Sequence, residues 1–131
     1  MKLPNRNFKT DEEKLREKIE AEQNAYIRDG ILTSLLIDVA EAFNVKLETV
    51  QSGQKKEMTV LVRSIFYYVA KCKTEYGKKR MALVAGRKDH AACIKHLRMV
   101  DYCFKHKDHE FLTLWNHYLT NSKLFTYKDF L

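Results

Sequence analysis

Glycine and proline are scarce in this chain, and that scarcity constrains its fold more than any other feature. The 131 residues include one proline and four glycines. Such a chain can hold long uninterrupted helices, but it has little of the turn chemistry that a many-stranded sheet needs. Apolar residues recur with the helical period, as in Leu61, Ile65 and Val69. We therefore predict an all-α fold, and the length suits one domain with a single core.

Caps and glycines set the predicted helix boundaries. Residues 1–9 are expected to be a loose segment, and Thr10 with Glu13 forms a capping box that opens a charged helix over residues 10–30. Its narrow apolar stripe consists of Leu15, Ile19 and Ala25 or Tyr26, and Asp29 with Gly30 should end or bend it. Further helices are predicted over 31–43, 57–76, 78–85, 89–104 and 108–120, with a loop over 44–56 and an aromatic tail packed on the body.

The positive charge of the chain is concentrated in one segment. The formal net charge is +7, yet residues 54–107 hold 14 lysines and arginines against 4 acidic residues, a local charge of +10. Residues 1–53 and 108–131 are both slightly acidic. A concentrated positive charge is typical of a surface that binds a polyanion, although a basic soluble protein without such a partner has the same totals.

Residues 86–96 give the most specific local pattern within that segment. A glycine turn, a basic pair, Asp89 and His90 precede an amphipathic helix whose apolar stripe continues through Leu97 to Phe104. The opposite face is cationic and has small residues near its start. A short helix, a glycine turn and a longer cationic helix are the parts of a helix-turn-helix unit, which inserts its second helix into the major groove.

The chain resembles the C-terminal DNA-binding domain of the bacterial replication initiator DnaA over residues 31–104. Three blocks carry the resemblance: residues 39–45, residues 62–69 with Val62-Arg63, and the Gly86-to-His90 stretch that matches the family's Gly-Arg-Asp-His signature. It implies a Trp-repressor-like helix-turn-helix core, with an added N-terminal helix over 10–30 and a C-terminal helix and tail over 105–131. No phosphate-binding Gly-Lys-Ser/Thr loop occurs, so the initiator's nucleotide-binding machinery is absent.

Two departures from the family pattern bear on DNA recognition. Lys88 is an extra residue, so either Arg87 or Lys88 takes the place of the family arginine. Ala91 and Ala92 replace the family's Ser/Thr-Thr pair, which leaves a methyl contact where hydroxyls help read or clamp the DNA. One good base contact contributes about 1–3 kcal/mol of discrimination.

The candidate DNA-binding residues are basic, or lie at the start of the second helix: Lys55, Lys56, Lys78, Lys79, Arg80, Arg87, Lys88, Asp89, His90, Ala91, Lys95 and Arg98. Arg87 or Lys88 can donate to guanine or phosphate, whereas Lys95 and Arg98 suit phosphate. Asp89 is either the N-cap of the helix or an acceptor for cytosine. Lys55 and Lys56 lie where the resemblance implies a minor-groove arginine. Arg63 fits an ion pair as well as it fits DNA.

Other function classes have less support in the sequence. The chain has three cysteines, Cys72, Cys93 and Cys103, so they cannot all pair with one another, and we expect free thiols in a reducing cytosol. The N-terminal residues do not have the pattern of a signal peptide. Cys103, His106 and His109 have zinc-like spacing but share one stretch, so we expect no metal site. No catalytic set is evident and no cofactor is expected.

The sequence thus leaves two functions open. The first is a cytoplasmic, non-catalytic protein that binds double-stranded DNA and acts in regulation, or in replication of a mobile element. The second is a protein-interaction module on a helix-turn-helix fold that no longer reads DNA. A homodimer is compatible with both.

Overall fold

A computed structural model describes residues 10–52 and 55–131, and within them the fold is entirely helical. The six α-helices are α1 (Asp11–Ala42), α2 (Leu47–Gln51), α3 (Glu57–Lys73), α4 (Lys78–Val84), α5 (Ala91–Lys105) and α6 (His109–Asn121). A short 3-10 helix, Tyr127–Phe130, closes the chain. The all-α prediction is confirmed, and the segment predicted over 1–9 lies outside the described residues. None of the described helices has the length and apolarity needed to cross a bilayer.

The core forms where the second half of α1, α3 and α5 meet. The predicted apolar stripes provide the residues of this core. Val62, Ile65 and Val69 of α3 are fully buried. Leu32 and Leu36 of α1 are also fully buried. Burial of each such side chain contributes roughly 1.5–3 kcal/mol, which makes α3 the central support for its neighbours.

The break predicted at Asp29 and Gly30 is wrong, because α1 continues through both residues. A glycine inside a helix costs only about 1 kcal/mol relative to alanine. The buried leucines that follow Gly30 outweigh that cost. Asp29 is also held in the helix by Arg80, whose guanidinium donates two hydrogen bonds of 2.8 Å to its carboxylate.

Three other predicted boundaries are corrected by the structure. The predicted loop over 44–56 contains the helix α2, which buries Val50 completely. The helix α3 ends at Lys73 rather than Tyr76, and α5 begins at Ala91 rather than Asp89. Each error concerns a short segment or a helix end, where apolar periodicity carries little information.

A buried carboxylate joins α1 to α6 and the tail. One oxygen of Asp38 accepts hydrogen bonds from the Tyr118 hydroxyl at 2.9 Å and from the Ser122 hydroxyl at 2.6 Å. Its other oxygen accepts from the Lys123 backbone N–H at 2.8 Å. Three donors satisfy a carboxylate that is only 5% exposed, so this network fixes the C-terminal part of the fold.

Aromatic residues of the tail pack on the body, as predicted. Phe130 contacts Trp115 with ring centroids 5.0 Å apart and Phe125 at 5.6 Å, both edge to face. The Lys73 ammonium lies 4.7 Å from the centre of the Phe130 ring, a cation–π contact that ties the tail to the end of α3.

Candidate nucleic-acid interface

The turn between α4 and α5 is fixed by the backbone of Gly86. Its φ of +83° belongs to the left-handed region, and its N–H donates to Leu83 O at 3.0 Å. The next N–H, that of Arg87, donates to Ala82 O at 2.8 Å. These two bonds form a Schellman motif, in which a glycine ends the helix and reverses the chain.

The same turn is packed tightly against α2. A Cβ at Gly86 would lie 2.1 Å from the Gln51 carbonyl oxygen, so no other residue fits without backbone movement. The Gln51 side chain also donates to Val84 O at 2.8 Å. The turn therefore gives α5 one orientation relative to α2, and Lys55 and Lys56 follow Gln51 by only a few residues.

The start of α5 differs in detail from the prediction that Asp89 is the N-cap. The N-cap is His90, whose side chain makes no capping hydrogen bond. Asp89 nonetheless supports the helix, because its carboxylate accepts from the Ala91 N–H at 3.0 Å. This contact uses one carboxylate oxygen to satisfy an N–H group of the first turn.

The face of α5 opposite the core is exposed and cationic. Ala91, Lys95 and Arg98 are exposed, whereas Cys93 and Leu97 are buried. Lys88 and His90 are exposed just before the helix. The predicted division of α5 into a core face and a solvent face is thus confirmed.

A shallow concavity of about 350 Å³ lies beside the start of α5. Gly86, Arg87, Lys88, Asp89 and Ala92 line it. Arg87 is half-buried while Lys88 is exposed, so the two residues of the basic pair have different surroundings. The Arg87 side chain is partly packed against the protein. Lys88 is therefore the more accessible of the two to a ligand.

The remaining basic candidates divide into exposed lysines and one paired arginine. Lys55, Lys56, Lys78 and Lys79 are exposed. Arg80 is held by Asp29, and the hydrogen bond from Arg80 keeps the pKa of that carboxyl below its usual value. The pairing directs the Arg80 guanidinium toward α1.

Arg63 lies inside the fold rather than on its surface. It is 3% exposed, and its guanidinium donates to the Val50 carbonyl at 2.8 Å. Burial lowers its pKa, and the nearby charge of Arg87 lowers it further. Arg63 therefore anchors α2 on α3 from inside the fold.

A polar contact that the sequence did not indicate joins α5 to α3 behind the exposed face. His96 Nδ1 is hydrogen-bonded to Ser64 Oγ. Because the Ser64 hydroxyl donates to Val60 O at 2.9 Å, the His96 nitrogen must be the donor in this contact. Burial is the main cause that lowers the pKa of His96 to about 4, together with the charges of Arg63, Arg87 and Lys95. His96 is therefore neutral near pH 7.

The residues with zinc-like spacing, Cys103, His106 and His109, form no group that could hold a metal ion within the described part of the chain. All three cysteines are free, and burial raises the pKa of Cys93 to about 11. Across 10–52 and 55–131, no three His, Cys, Asp or Glu side chains come together as a set that could hold a metal ion.

Comparison of the chain with protein-family models, curated protein sequences and solved structures gives no match in any of the three. The resemblance to the initiator domain therefore rests on the three sequence blocks alone. The case for the candidate interface rests on the exposure and charge of its residues.

Proposed function

We propose that this chain is a non-catalytic protein that binds double-stranded DNA through a Trp-repressor-like helix-turn-helix unit formed by α4, the Gly86 turn and α5. The observation that carries the proposal is the exposed face of α5, where a small first residue, Ala91, is followed by Lys95 and Arg98. A small residue at the start of a helix allows close approach to base edges in the major groove, and the cations suit the flanking phosphates.

Seven of the candidate residues have distinct roles in this docking. Lys95 and Arg98 contact phosphates and therefore set affinity without reading sequence. His90 and Lys88 precede the helix and lie closest to the base edges. The Ala91 methyl group offers an apolar contact to the thymine methyl group. Lys55 and Lys56 reach a neighbouring groove or phosphate strand from the other side of the turn.

The blocks shared with the initiator domain support a role in regulation of transcription or replication. The chain has no phosphate-binding loop of its own, so such a role depends on DNA occupancy rather than on nucleotide hydrolysis. Because Ala91 and Ala92 lack the family's hydroxyls, we expect weak preference for the initiator's own DNA site.

A mobility-shift titration with mixed genomic fragments at several salt concentrations tests the proposal. Affinity should fall steeply with salt, with a log–log slope of about −0.9 for each neutralised phosphate. Lys95→Ala should make that slope shallower by about 0.9. Lys128→Ala removes an equal charge from the exposed tail and is the matched control, which should leave the slope unchanged. Absence of binding at low salt would overturn the proposal.

The second candidate function, a protein-interaction module, is favoured by a different observation. Leu15, Ile19 and Tyr26 on the first half of α1 are 59%, 45% and 82% exposed. An apolar stripe on a solvent-exposed helix fits a protein partner better than it fits DNA. Loss of DNA binding together with retained protein association would select this function.

A further inference from the structure

The first half of α1 leaves the body of the protein as an exposed helical arm, defined here as residues 11–27. Every residue from 11 to 24 is exposed, whereas the core contacts of α1 begin at Leu32. The arm contains six acidic residues and three basic ones, in contrast to the strongly basic middle of the chain. It is therefore an exposed surface that is opposite in charge to α5.

One face of the arm has a strict heptad spacing. Glu12, Leu15, Ile19, Glu22 and Tyr26 follow one another at alternating intervals of three and four residues. Side chains with this spacing lie along one side of a helix, where a second helix packs by inserting knobs into holes. The two acidic positions, Glu12 and Glu22, thus flank the apolar pair Leu15 and Ile19 on this face of the arm.

The exposed face of α5 has the same spacing with the opposite charge. Ala91, Lys95, Arg98, Tyr102 and Lys105 follow at alternating intervals of four and three residues, and all are exposed. Tyr102, near the C-terminal end of α5, is 62% exposed. Taken from the C-terminal end of α5, Lys105 and Lys95 occupy the places of Glu12 and Glu22 on the arm, and a third cation, Arg98, occupies the place of Ile19.

We propose that the arm of one copy packs antiparallel on the exposed face of α5 in a second copy of this chain. In that register the five layers pair as follows: Glu12 with Lys105, Leu15 with Tyr102, Ile19 with Arg98, Glu22 with Lys95, and Tyr26 with Ala91. Acid meets base in two layers, apolar meets apolar in one, and the largest side chain meets the smallest. The aliphatic stem of Arg98 covers Ile19 while its guanidinium stays in water.

Other pairings of the same faces are less complementary. In the parallel arrangement of arm and α5, Leu15 meets Lys95 and Glu22 meets Tyr102. Two arms paired antiparallel set Leu15 against Glu22. Two copies of α5 set cations against cations around Arg98, which is unfavourable. Charge and size therefore both select the arm on α5.

The occupant is a second copy because α1 is one continuous helix. A rigid helix whose second half is buried cannot bend its first half back onto α5 of the same chain. The arm has 17 residues and α5 has 15, so at a rise of 1.5 Å per residue their lengths match to within about 3 Å. A twofold dimer forms two identical contacts of this kind, which doubles the buried area.

This association covers Ala91, Lys95 and Arg98, the residues assigned above to DNA. The dimer and the DNA complex are therefore mutually exclusive, and that consequence alone depends on the proposed function. Self-association then regulates DNA binding, because DNA must displace the arm of the partner.

Sedimentation equilibrium without DNA tests the association itself. The native chain should form dimers that weaken with rising salt, and Leu15→Ala with Ile19→Ala should weaken the dimer by roughly a hundredfold. Both residues are exposed, so the variant should keep its far-UV circular dichroism. A monomer at every protein and salt concentration would overturn the inference.

A charge exchange identifies the surfaces. Glu12→Lys with Glu22→Lys, and separately Lys95→Glu with Lys105→Glu, should each give monomers, while an equal mixture should give heterodimers. Glu13→Lys with Glu20→Lys makes the same charge change on the opposite side of the arm and should leave the dimer intact. If the arm variant is monomeric but the α5 variant still dimerises, the arms pair with each other and the inference is wrong.

The competition is measured separately from the association. In fluorescence anisotropy with labelled duplex, the monomeric Leu15→Ala, Ile19→Ala variant should bind DNA at least as tightly as the native chain. If that monomer binds no DNA while the native chain dimerises, the proposed function fails and the dimer stands. If DNA binds to intact dimers, the assignment of the arm to α5 fails.

Discussion

Replacing Gly86 by alanine tests whether the turn before α5 is fixed as tightly as its geometry indicates. The left-handed backbone at φ +83° costs a residue with a Cβ about 1–2 kcal/mol. The new Cβ would also lie 2.1 Å from Gln51 O and 2.7 Å from Gln51 Cα, so the backbone of α2 or of the turn must move. That movement breaks the hydrogen bond from Gln51 to Val84, worth about 1 kcal/mol.

The sum predicts that Gly86→Ala lowers the free energy of unfolding by roughly 2–3 kcal/mol. Domains of this size have about 5–15 kcal/mol in total, so the loss is easily measured. The assay is equilibrium urea unfolding followed by far-UV circular dichroism, in which the midpoint should fall while the slope stays constant.

Gly30→Ala is the matched control, because it makes the same chemical change within a helix. No atom lies within 4 Å of a Cβ built at Gly30. Alanine is the better helix former, so this variant should gain roughly 0.5–1 kcal/mol. A Gly86→Ala variant as stable as the native chain would refute the packing argument, and a destabilised Gly30→Ala would refute the account of α1 as one stable helix.

Three further predictions address the core, the pH response and recognition. Asp38→Ala should lower the free energy of unfolding by about 3 kcal/mol because buried donors lose their acceptor, whereas Glu41→Ala, which removes only an exposed ion pair, should change it by less than about 0.5 kcal/mol in the same urea assay. Since His96 has its pKa lowered in the fold, the unfolded chain binds more protons, and stability should fall as the pH drops from 6.5 toward 4. His96→Gln should flatten that part of the curve, and an unchanged curve would contradict the assignment. Ala91→Thr with Ala92→Thr should strengthen binding to the initiator's DNA box over a scrambled duplex by roughly 1–3 kcal/mol in a competition assay, and equal gains on both duplexes would refute a base contact.

Apolar periodicity predicted the buried face of α5, but it did not predict that the apolar stripe of Leu15, Ile19 and Tyr26 on α1 is exposed. Cys93, Leu97 and Val100 recur on one side of α5, and all three are buried. The same spacing predicted the exposed cationic side, because a helix with one buried face must expose the other. The parts of the fold that depend on a single amphipathic helix were therefore predictable from the sequence.

Contacts between distant residues were not predictable in the same way. Arg80 and Asp29 are separated by 51 positions, and His96 and Ser64 by 32. No local pattern indicates such partners, since the pairing depends on how helices pack rather than on the sequence around either residue. Arg80, which the sequence predicts as a DNA-binding residue, therefore has a partner on α1 that its local sequence does not indicate.

The uninterrupted α1 also determines how the protein moves through solution. Its 32 residues make a rod about 48 Å long, whereas a compact chain of 131 residues has a radius of gyration of about 14 Å. A rod that extends beyond the body raises the frictional coefficient and slows rotational diffusion. A monomer should therefore elute earlier from a sizing column than a compact monomer of the same mass. Molecular mass for this protein is best taken from light scattering or sedimentation equilibrium, which do not depend on shape.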